Sequence, residues 1–533
     1  MGRAQHGILA SLGKWLPALS LCLTATAQTT TRAYLGSKAC AACHESIYRQ
    51  YSATAMAKSS GDVSGLSLPL GQVTSQASGS RFSYEGIGRF TFERGDAKGS
   101  KQAVYFVGSG AAGRSFLWQS GGFLFQLPIS WYSAHGWDLS PGYESKATLS
   151  LARAVAPECL NCHATGIRHQ HGTENGYEWP PALEGGIGCE RCHGPGGLHV
   201  ARAGKGEIVN PAKLDPHLRD SVCAQCHLTG VERIARPGRR IEDYRPGADL
   251  NDYAAIFLWE KPEANGLHTT SHYELLDESG CKKGAGDRMW CGSCHDSHAQ
   301  PSLSARQGYY REKCMSCHSQ SGHAAEMAEC LSCHMPRRQA TDVSGAKLTD
   351  HSIPRVQSSL PVTGGRELKA FRSPVEPREL GLAWARIANA QQRDEDFDHA
   401  RALLNTAYAN GSRDAAVATV LAFLEDKAGN EARAIELYEN VRSLDPSQAE
   451  ALLNLGSSYA TRGRIADAVD LWREVVGHSL GLESAWVKLA TAYTILGRTK
   501  EAEEAVRRCL EFHPDSQAAI ELKNELGRSK RAP

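Results

Sequence analysis

Fourteen of the 17 cysteines fall into seven copies of one string, Cys-x-x-Cys-His. They are Cys40/Cys43/His44, Cys159/Cys162/His163, Cys189/Cys192/His193, Cys223/Cys226/His227, Cys291/Cys294/His295, Cys314/Cys317/His318 and Cys330/Cys333/His334. Two thiols at this spacing can each form a thioether to one of the two vinyl groups of a haem. The histidine directly after the second then lies beneath the iron as its proximal ligand. Zinc is the main competing chemistry for Cys-x-x-Cys, but a zinc ribbon has no use for a histidine after every second cysteine. A disulfide framework has none either. The spacing therefore predicts seven covalently bound haem c groups. Of the cysteines left over, Cys509 reads as a buried apolar residue, Cys22 falls in an N-terminal apolar stretch, and Cys281 has no assigned role.

The sixth position on each iron decides whether a haem only carries electrons or also binds a substrate. His199 follows Cys-His-Gly-Pro-Gly, His298 follows Cys-His-Asp-Ser, and His323 sits between two closely spaced motifs. With His272 and His351 these are the first choices for distal ligands; His135, His169, His171, His217 and His268 stay open. No histidine follows the first motif until His135, so Met56 is the candidate sixth ligand there, with a packing role as the alternative. His/Met ligation raises the potential relative to His/His, which would make that haem the oxidising end.

The elements that must position these groups are unevenly distributed. One motif lies near the N-terminus and six crowd into residues 159–334. Between them, 82–84, 90–92, 103–107, 115–118 and 123–127 read as short strands separated by glycines, a small antiparallel insertion over 80–132. Gly108-Ser109-Gly110-Ala111-Ala112-Gly113 matches a dinucleotide fingerprint as a string, but a strand-like run follows it, so a tight turn is expected. The rest of the haem region is rich in Gly, Pro and polar residues, so the macrocycles themselves must substitute for a side-chain core. Residues 357–379, with Pro361, Pro374 and Pro377, read as a linker.

Beyond it a 34-residue period sets in. Ala400, Ala434, Ala468 and Ala502 share one register, and Gly429, Gly463 and Gly497 another. That period with small residues at fixed positions predicts tetratricopeptide repeats over 380–526, two antiparallel helices per unit with a concave binding surface. At the other end, Arg3 and Lys14, the apolar run Trp15 to Leu23 and Ala25-Thr26-Ala27 have the order of a secretory signal ending at about residue 27. Leu21 is too large for a lipobox before Cys22. A formal charge of +1 without a basic tract excludes nucleic acid as an expected partner, and no membrane span is expected after signal cleavage.

Tyr34-Leu35-Gly36-Ser37-Lys38-Ala39-Cys40, Gly188-Cys189-Glu190-Arg191-Cys192-His193-Gly194-Pro195-Gly196 and Cys330-Leu331-Ser332-Cys333-His334-Met335-Pro336 resemble the multihaem cytochromes related to tetrahaem cytochrome c-554. Thr349-Asp350-His351 with Ile353-Pro354-Arg355 is also similar to that group. The resemblance covers roughly residues 33–356 and implies a distal-ligand role for His199, the histidine after Gly-Pro-Gly. This chain departs from the group in its seven motifs, its sheet and its repeats. The expected architecture is multidomain: an irregular, mainly helical multihaem cytochrome domain with a small β insertion, then an all-α repeat solenoid. The expected function is electron transfer in the periplasm or otherwise outside the cytosol, with a redox protein partner and a protein docked on the repeats. The alternatives are an oxidoreductase with one open-coordinated haem acting on a small nitrogen or sulfur compound, and an interaction scaffold. Pentahaem nitrite reductases mark their active haem with Cys-x-x-Cys-Lys, a string this chain lacks.

Overall fold

The computed structural model describes residues 33–260, 267–318, 330–343, 345–355 and 367–529. The expected signal, His323 and the first part of the expected linker lie outside the described residues. Helices α1 (Ser37–Ala41) and α2 (Glu45–Ser52) carry the first motif and lead into an antiparallel sheet. Its strands are β1 (Ser60–Asp62), β2 (Gly71–Thr74), β3 (Arg81–Tyr84), β4 (Arg89–Arg94), β5 (Ala97–Val107), β6 (Gly113–Ser120), β7 (Phe123–Tyr132), β8 (Gly136–Leu139) and β9 (Arg153–Ala154). They run β2-β3-β4-β5-β6-β7-β8, with β1 on β5 and β9 on β7. The sheet curls like a barrel: the Trp137 indole N–H on β8 donates to the Pro69 carbonyl just before β2, at 2.8 Å. Tyr84, Phe90, Phe116 and Trp137 fill the interior, with ring centroids 4.7–6.4 Å apart.

This sheet corrects the expectation of a mainly helical region with a small insertion over 80–132. The five expected strands all fall inside β3–β7, where aromatic and branched residues mark them. The sheet nevertheless begins at Ser60 and ends at Ala154. Its outer strands, such as Gly71-Gln72-Val73-Thr74, are short and polar, and only pairing with a neighbour makes them strands. The helices of the first five motifs, by contrast, are mostly four or five residues long, enough to space two cysteines and a histidine but too short to carry an apolar face.

After the sheet come α3 (Pro157–Asn161), the hairpin β10 (Ala164–His169) and β11 (Tyr177–Gly185), α4 (Glu190–His193), α5 (Gly197–Ala201) and α6 (Pro216–His227). Strands β12 (Glu232–Ala235) and β13 (Ala254–Trp259) pair next, followed by α7 (His272–Glu278), α8 (Gly280–Ala285), α9 (Cys291–Cys294), α10 (Arg306–Met315) and α11 (Cys330–His334). A two-stranded ribbon, β14 (Arg337–Gln339) with β15 (Lys347–Thr349), closes the region. The expected linker contributes structure of its own: β16 (Leu368–Ala370) pairs with β13.

The repeats form paired helices: α12 (Pro377–Gln391) with α13 (Asp394–Ala409), α14 (Ala415–Lys427) with α15 (Glu431–Leu444), α16 (Ala449–Thr461) with α17 (Ile465–His478), and α18 (Glu483–Ile495) with α19 (Thr499–Phe512). A last helix, α20 (Gln517–Ser529), caps them. Ala400, Ala434, Ala468 and Ala502 are fully buried, as close helix approach requires. Both ends of the solenoid are tied to the rest of the chain. At one end Arg378 donates to the Ala235 carbonyl (3.0 Å) and Arg236 pairs with Glu379 (3.4 Å). At the other, Phe512 packs on Phe125 and Trp118 (centroids 5.0 and 5.6 Å), and Asp515 accepts from Leu149 N (2.9 Å) and pairs with Arg94. Cover from the solenoid on one face and from the barrel interior on the other explains why β7 is almost wholly buried.

Lys101 sits in this junction, its ammonium 3.6 Å over the Trp118 ring and 4.0 Å from Glu511. Burial outweighs the pull of Glu511 and pushes its pKa down to about 8. An unfolded lysine titrates near 10.4, so between those values the unfolded chain holds a proton that the folded one has shed, and stability rises with pH. Thermal unfolding at pH 8 and pH 10 is expected to show Lys101→Met losing stability relative to the native protein as the pH rises. A pH-independent difference between the two would contradict the assignment.

Candidate haem centres

The short motif helices are held from outside. Ser59 and Ser60, at the start of β1, donate to the His163 carbonyl at 2.9 and 2.7 Å, fixing the second motif to the sheet. Gly188 N donates to Thr165 Oγ1 (2.7 Å), which joins the β10–β11 hairpin to the third motif. Thiols of different motifs lie within hydrogen-bonding reach of each other: Cys40 with Cys189, Cys162 with Cys226, Cys223 with Cys291, and Cys314 with Cys330. Motifs far apart in sequence are thereby neighbours in space.

Histidines face one another across these motifs. The His44 and His199 rings lie 6.5 Å apart with planes 15° from parallel, His193 and His298 5.9 Å apart at 17°, and His295 and His351 6.2 Å apart at 30°. A histidine nitrogen binds a first-row metal at about 2.0–2.1 Å and the ring centre lies about 1.1 Å further, so trans imidazoles on one metal have centroids roughly 6 Å apart. The three pairs have about the centroid separation that two imidazoles on one iron would have. His272 stands edge-on to His227 at 5.2 Å and to His351 at 4.9 Å, closer than that spacing.

The nitrogens are set up for ligation. Nδ1 of His193 donates to the Val209 carbonyl (2.7 Å), Nδ1 of His199 to Gly206 (3.1 Å), Nδ1 of His334 to Pro354 (2.9 Å) and Nδ1 of His351 to Thr349 (2.9 Å). A ring nitrogen bonded to a carbonyl must carry the proton, which leaves Nε2 bare for a metal, the outer-shell arrangement typical of metal-binding histidines. Burial pushes His163, His193, His227 and His351 below the ordinary imidazole range and His272 down to about 3. All stay neutral at pH 7, the form that ligates iron. The residues gathered at these pairs thus fit haem c.

Not every expected site residue is buried. Cys43 and His44, in the first motif, His295, in the fifth, and Cys317 and His318, in the sixth, are exposed. α1 ends at Ala41 and α10 at Met315, so Cys43, Cys317 and His318 follow the last turn, and their neighbours Ala42 and Ser316 are exposed with them. Motif spacing is blind to this, because it fixes the separation of the sulfurs and not the cover that tertiary packing gives them. Cys159 and Cys333 are exposed as well, and in each of the first, second, sixth and seventh motifs the other cysteine is half-buried.

The other candidates are placed elsewhere. Met56 is half-buried and its carbonyl accepts from Ile187 N at 2.9 Å. His135 stacks on Tyr132 (4.9 Å) beside Asp138, His169 is bonded to the Thr173 carbonyl, and His217 is exposed. Among the described residues His163 has no facing imidazole of this kind, and its Nδ1 is buried without a partner. Sequence reasoning missed the residues between the cysteines: Asn161, Glu190, Arg191 and Gln225 are all buried polar groups. Their one legible signal was a charged pair, Glu190-Arg191, inside a motif where nothing in the haem linkage calls for charge.

Residues 134–194 match the family model described as cytochrome c554 and c-prime, and residues 424–479 and 483–526 match models of the tetratricopeptide repeat. The multiheme cytochrome MtrA of Shewanella baltica (strain OS185) is 25% identical over 206 residues, 35% of this chain and 47% of that protein. The chain thus spans about half the length of the curated relative it matches. These matches support a multihaem cytochrome fused to tetratricopeptide repeats. Among solved structures, a crystal structure of MamA is similar over 27% of this chain and 84% of its own, at 20% identity and TM-score 0.25. YrrB, a tetratricopeptide protein with an unusual peptide-binding site, is similar over 28% and 74%, at 16% identity and TM-score 0.24. No helix among the described residues is long and apolar enough to cross a membrane.

The facing pairs give a direct expectation. Replacing His199, His298 or His351 by Ala should each convert one low-spin iron to high spin in the electron paramagnetic resonance spectrum, whereas Met56→Ala should convert none. A high-spin signal from Met56→Ala, with none from His199→Ala, would reverse the assignment at the first motif.

Proposed function

We propose that this protein is an exported, periplasmic electron carrier in which seven covalent haems form one connected relay, with the repeats docking a protein partner. The observation that carries the reading is the continuity of contacts between motifs. The first meets the third through Cys40 and Cys189, the third lies beside the fourth through Cys192 and Cys226, and the fourth meets the fifth through Cys223 and Cys291. Cys294 of the fifth lies beside Cys314 of the sixth, which meets the seventh through Cys330. The second joins as a side branch through Cys162 and Cys226. Export rests on the charged, apolar and small-residue order of residues 1–27.

The fourteen motif cysteines would hold the macrocycles, and the seven motif histidines their irons. His199, His298 and His351 would take the sixth positions at the first, third and fifth haems, and His272 that of the fourth after a small opening of its approach to His227. His323 stays a candidate for the sixth or seventh. Exposure of Cys43 and His44, and of Cys317 and His318, would leave the first and sixth haems open to solvent, and so natural points for exchange with a redox partner. Each bound iron supplies a one-electron couple. The chain's part is to orient His193, His199, His334 and His351 through Nδ1–H bonds to carbonyls and to hold successive motifs in contact.

A second reading attaches to the side branch. His163 is half-buried, neutral and unfaced among the described residues, which suits a site open to a small nitrogen or sulfur compound. A pyridine haemochrome assay with electron paramagnetic resonance of the oxidised holoprotein tests both readings. Seven haems per chain without any response to nitrite or hydroxylamine support the carrier. A high-spin signal altered by either compound would move the assignment to catalysis at the second haem, and fewer than seven haems would break the relay.

A further inference from the structure

The residues between the cysteines interlock. Glu190, 1% exposed, lies inside the third motif, yet its carboxylate accepts from Leu35 N (3.0 and 2.9 Å) and Gly36 N (2.8 Å), which lead into the first motif. The same carboxylate accepts from Gly196 N (2.7 Å), at the start of the helix that carries His199. One buried anion therefore ties down the approach to His44 and the approach to the imidazole that faces it. Its neighbour Arg191, 6% exposed, points the other way and donates to Asn161 O and Asn161 Oδ1, both at 3.0 Å, inside the second motif. Gln225, inside the fourth motif, donates to the Arg191 carbonyl at 3.1 Å. All four side chains are almost wholly buried, and they join four motifs in one polar network.

We propose that Glu190 and Arg191 are positioning residues that lock the first four haems relative to one another, and that their opposite charges set neighbouring haem potentials in opposite directions. The inference rests on the haem reading of the motifs. A buried carboxylate favours the more positive, oxidised iron, and a buried guanidinium favours the reduced one, because low dielectric surroundings screen neither charge well. Glu190 acts on the first and third sites, Arg191 on the second, third and fourth. The Nη2 of Arg191 serves both acceptors on Asn161, which fixes the guanidinium against the second motif.

The test is a spectroelectrochemical titration of the full-length holoproteins carrying Glu190→Gln and Arg191→Gln, each with its haems counted by pyridine haemochrome. Glu190→Gln is expected to shift at least one haem toward reduction by about tenfold in the oxidised-to-reduced ratio, roughly 59 mV upward for one electron. Arg191→Gln is expected to shift at least one haem downward by a similar factor. A conservative Glu190→Asp should restore part of the native potential. Full haem content with unchanged potentials in both variants, or shifts of the same sign, would overturn the proposal. If either glutamine variant fails to accumulate, Asn161→Ala, which leaves both charges in place, is titrated instead. A change in the low-spin signals of the second and third haems supports the lock, and an unaltered spectrum overturns it. A haem count below seven in the native protein would count against the haem reading itself, not against the network.

Discussion

The structure depends on bringing two imidazoles from distant parts of the chain opposite each other at about the centroid separation that one shared metal ion would give. His44 meets His199, His193 meets His298, and His295 meets His351. Each proximal residue sits at the end of a short motif, and each of these partners comes from a segment one or more motifs later. Short helices of the Cys-x-x-Cys-His type bring no apolar face of their own, so this register cannot come from helix packing. It comes from the curled sheet, from the polar network of Asn161, Glu190, Arg191 and Gln225, and from backbone carbonyls that aim the ring nitrogens.

The sheet and the solenoid serve that register from outside. Ser59 and Ser60 at the first strand hold the second motif, while β7 is covered on one face by the barrel interior and on the other by the end of the repeats. Phe512 and Asp515 therefore belong to the core of the sheet as much as to the last repeat. With α12 tied to β12 at the opposite end, the solenoid braces the haem region at two points. The concave face between those points is held in one orientation, which suits a docking surface beside a redox relay.

What could be read from the amino-acid sequence follows the strength of local signals. The seven motifs are spacing alone and were legible at once, but their cover was not. Cys43, Cys317 and His318 lie exposed beyond the ends of their helices, whereas Cys162 and His163, placed alike in their own motif, are partly covered. Phe82, Phe90, Phe116 and Phe125 marked their strands, and the alanine register at 400, 434, 468 and 502 marked the repeats. The outer strands were hidden because Gly71-Gln72-Val73-Thr74 carries no alternating pattern until β3 pairs with it. Leu368–Ala370 was hidden for the same reason: between prolines and polar residues it reads as linker, yet it completes a sheet with Ala254–Trp259. The imidazole pairs were illegible in principle, since nothing local links His199 to His44. Glu190 and Arg191 were visible as charges but not as a network, because their partners lie in other motifs.

The central claim is that facing imidazoles mark shared irons, and the positions of those irons test it most directly. An anomalous-difference map collected at the iron absorption edge from crystals of the holoprotein would show them. The account predicts seven peaks, with three of them midway between His44 and His199, His193 and His298, and His295 and His351. Peaks displaced from those midpoints, or fewer than seven in all, would contradict it.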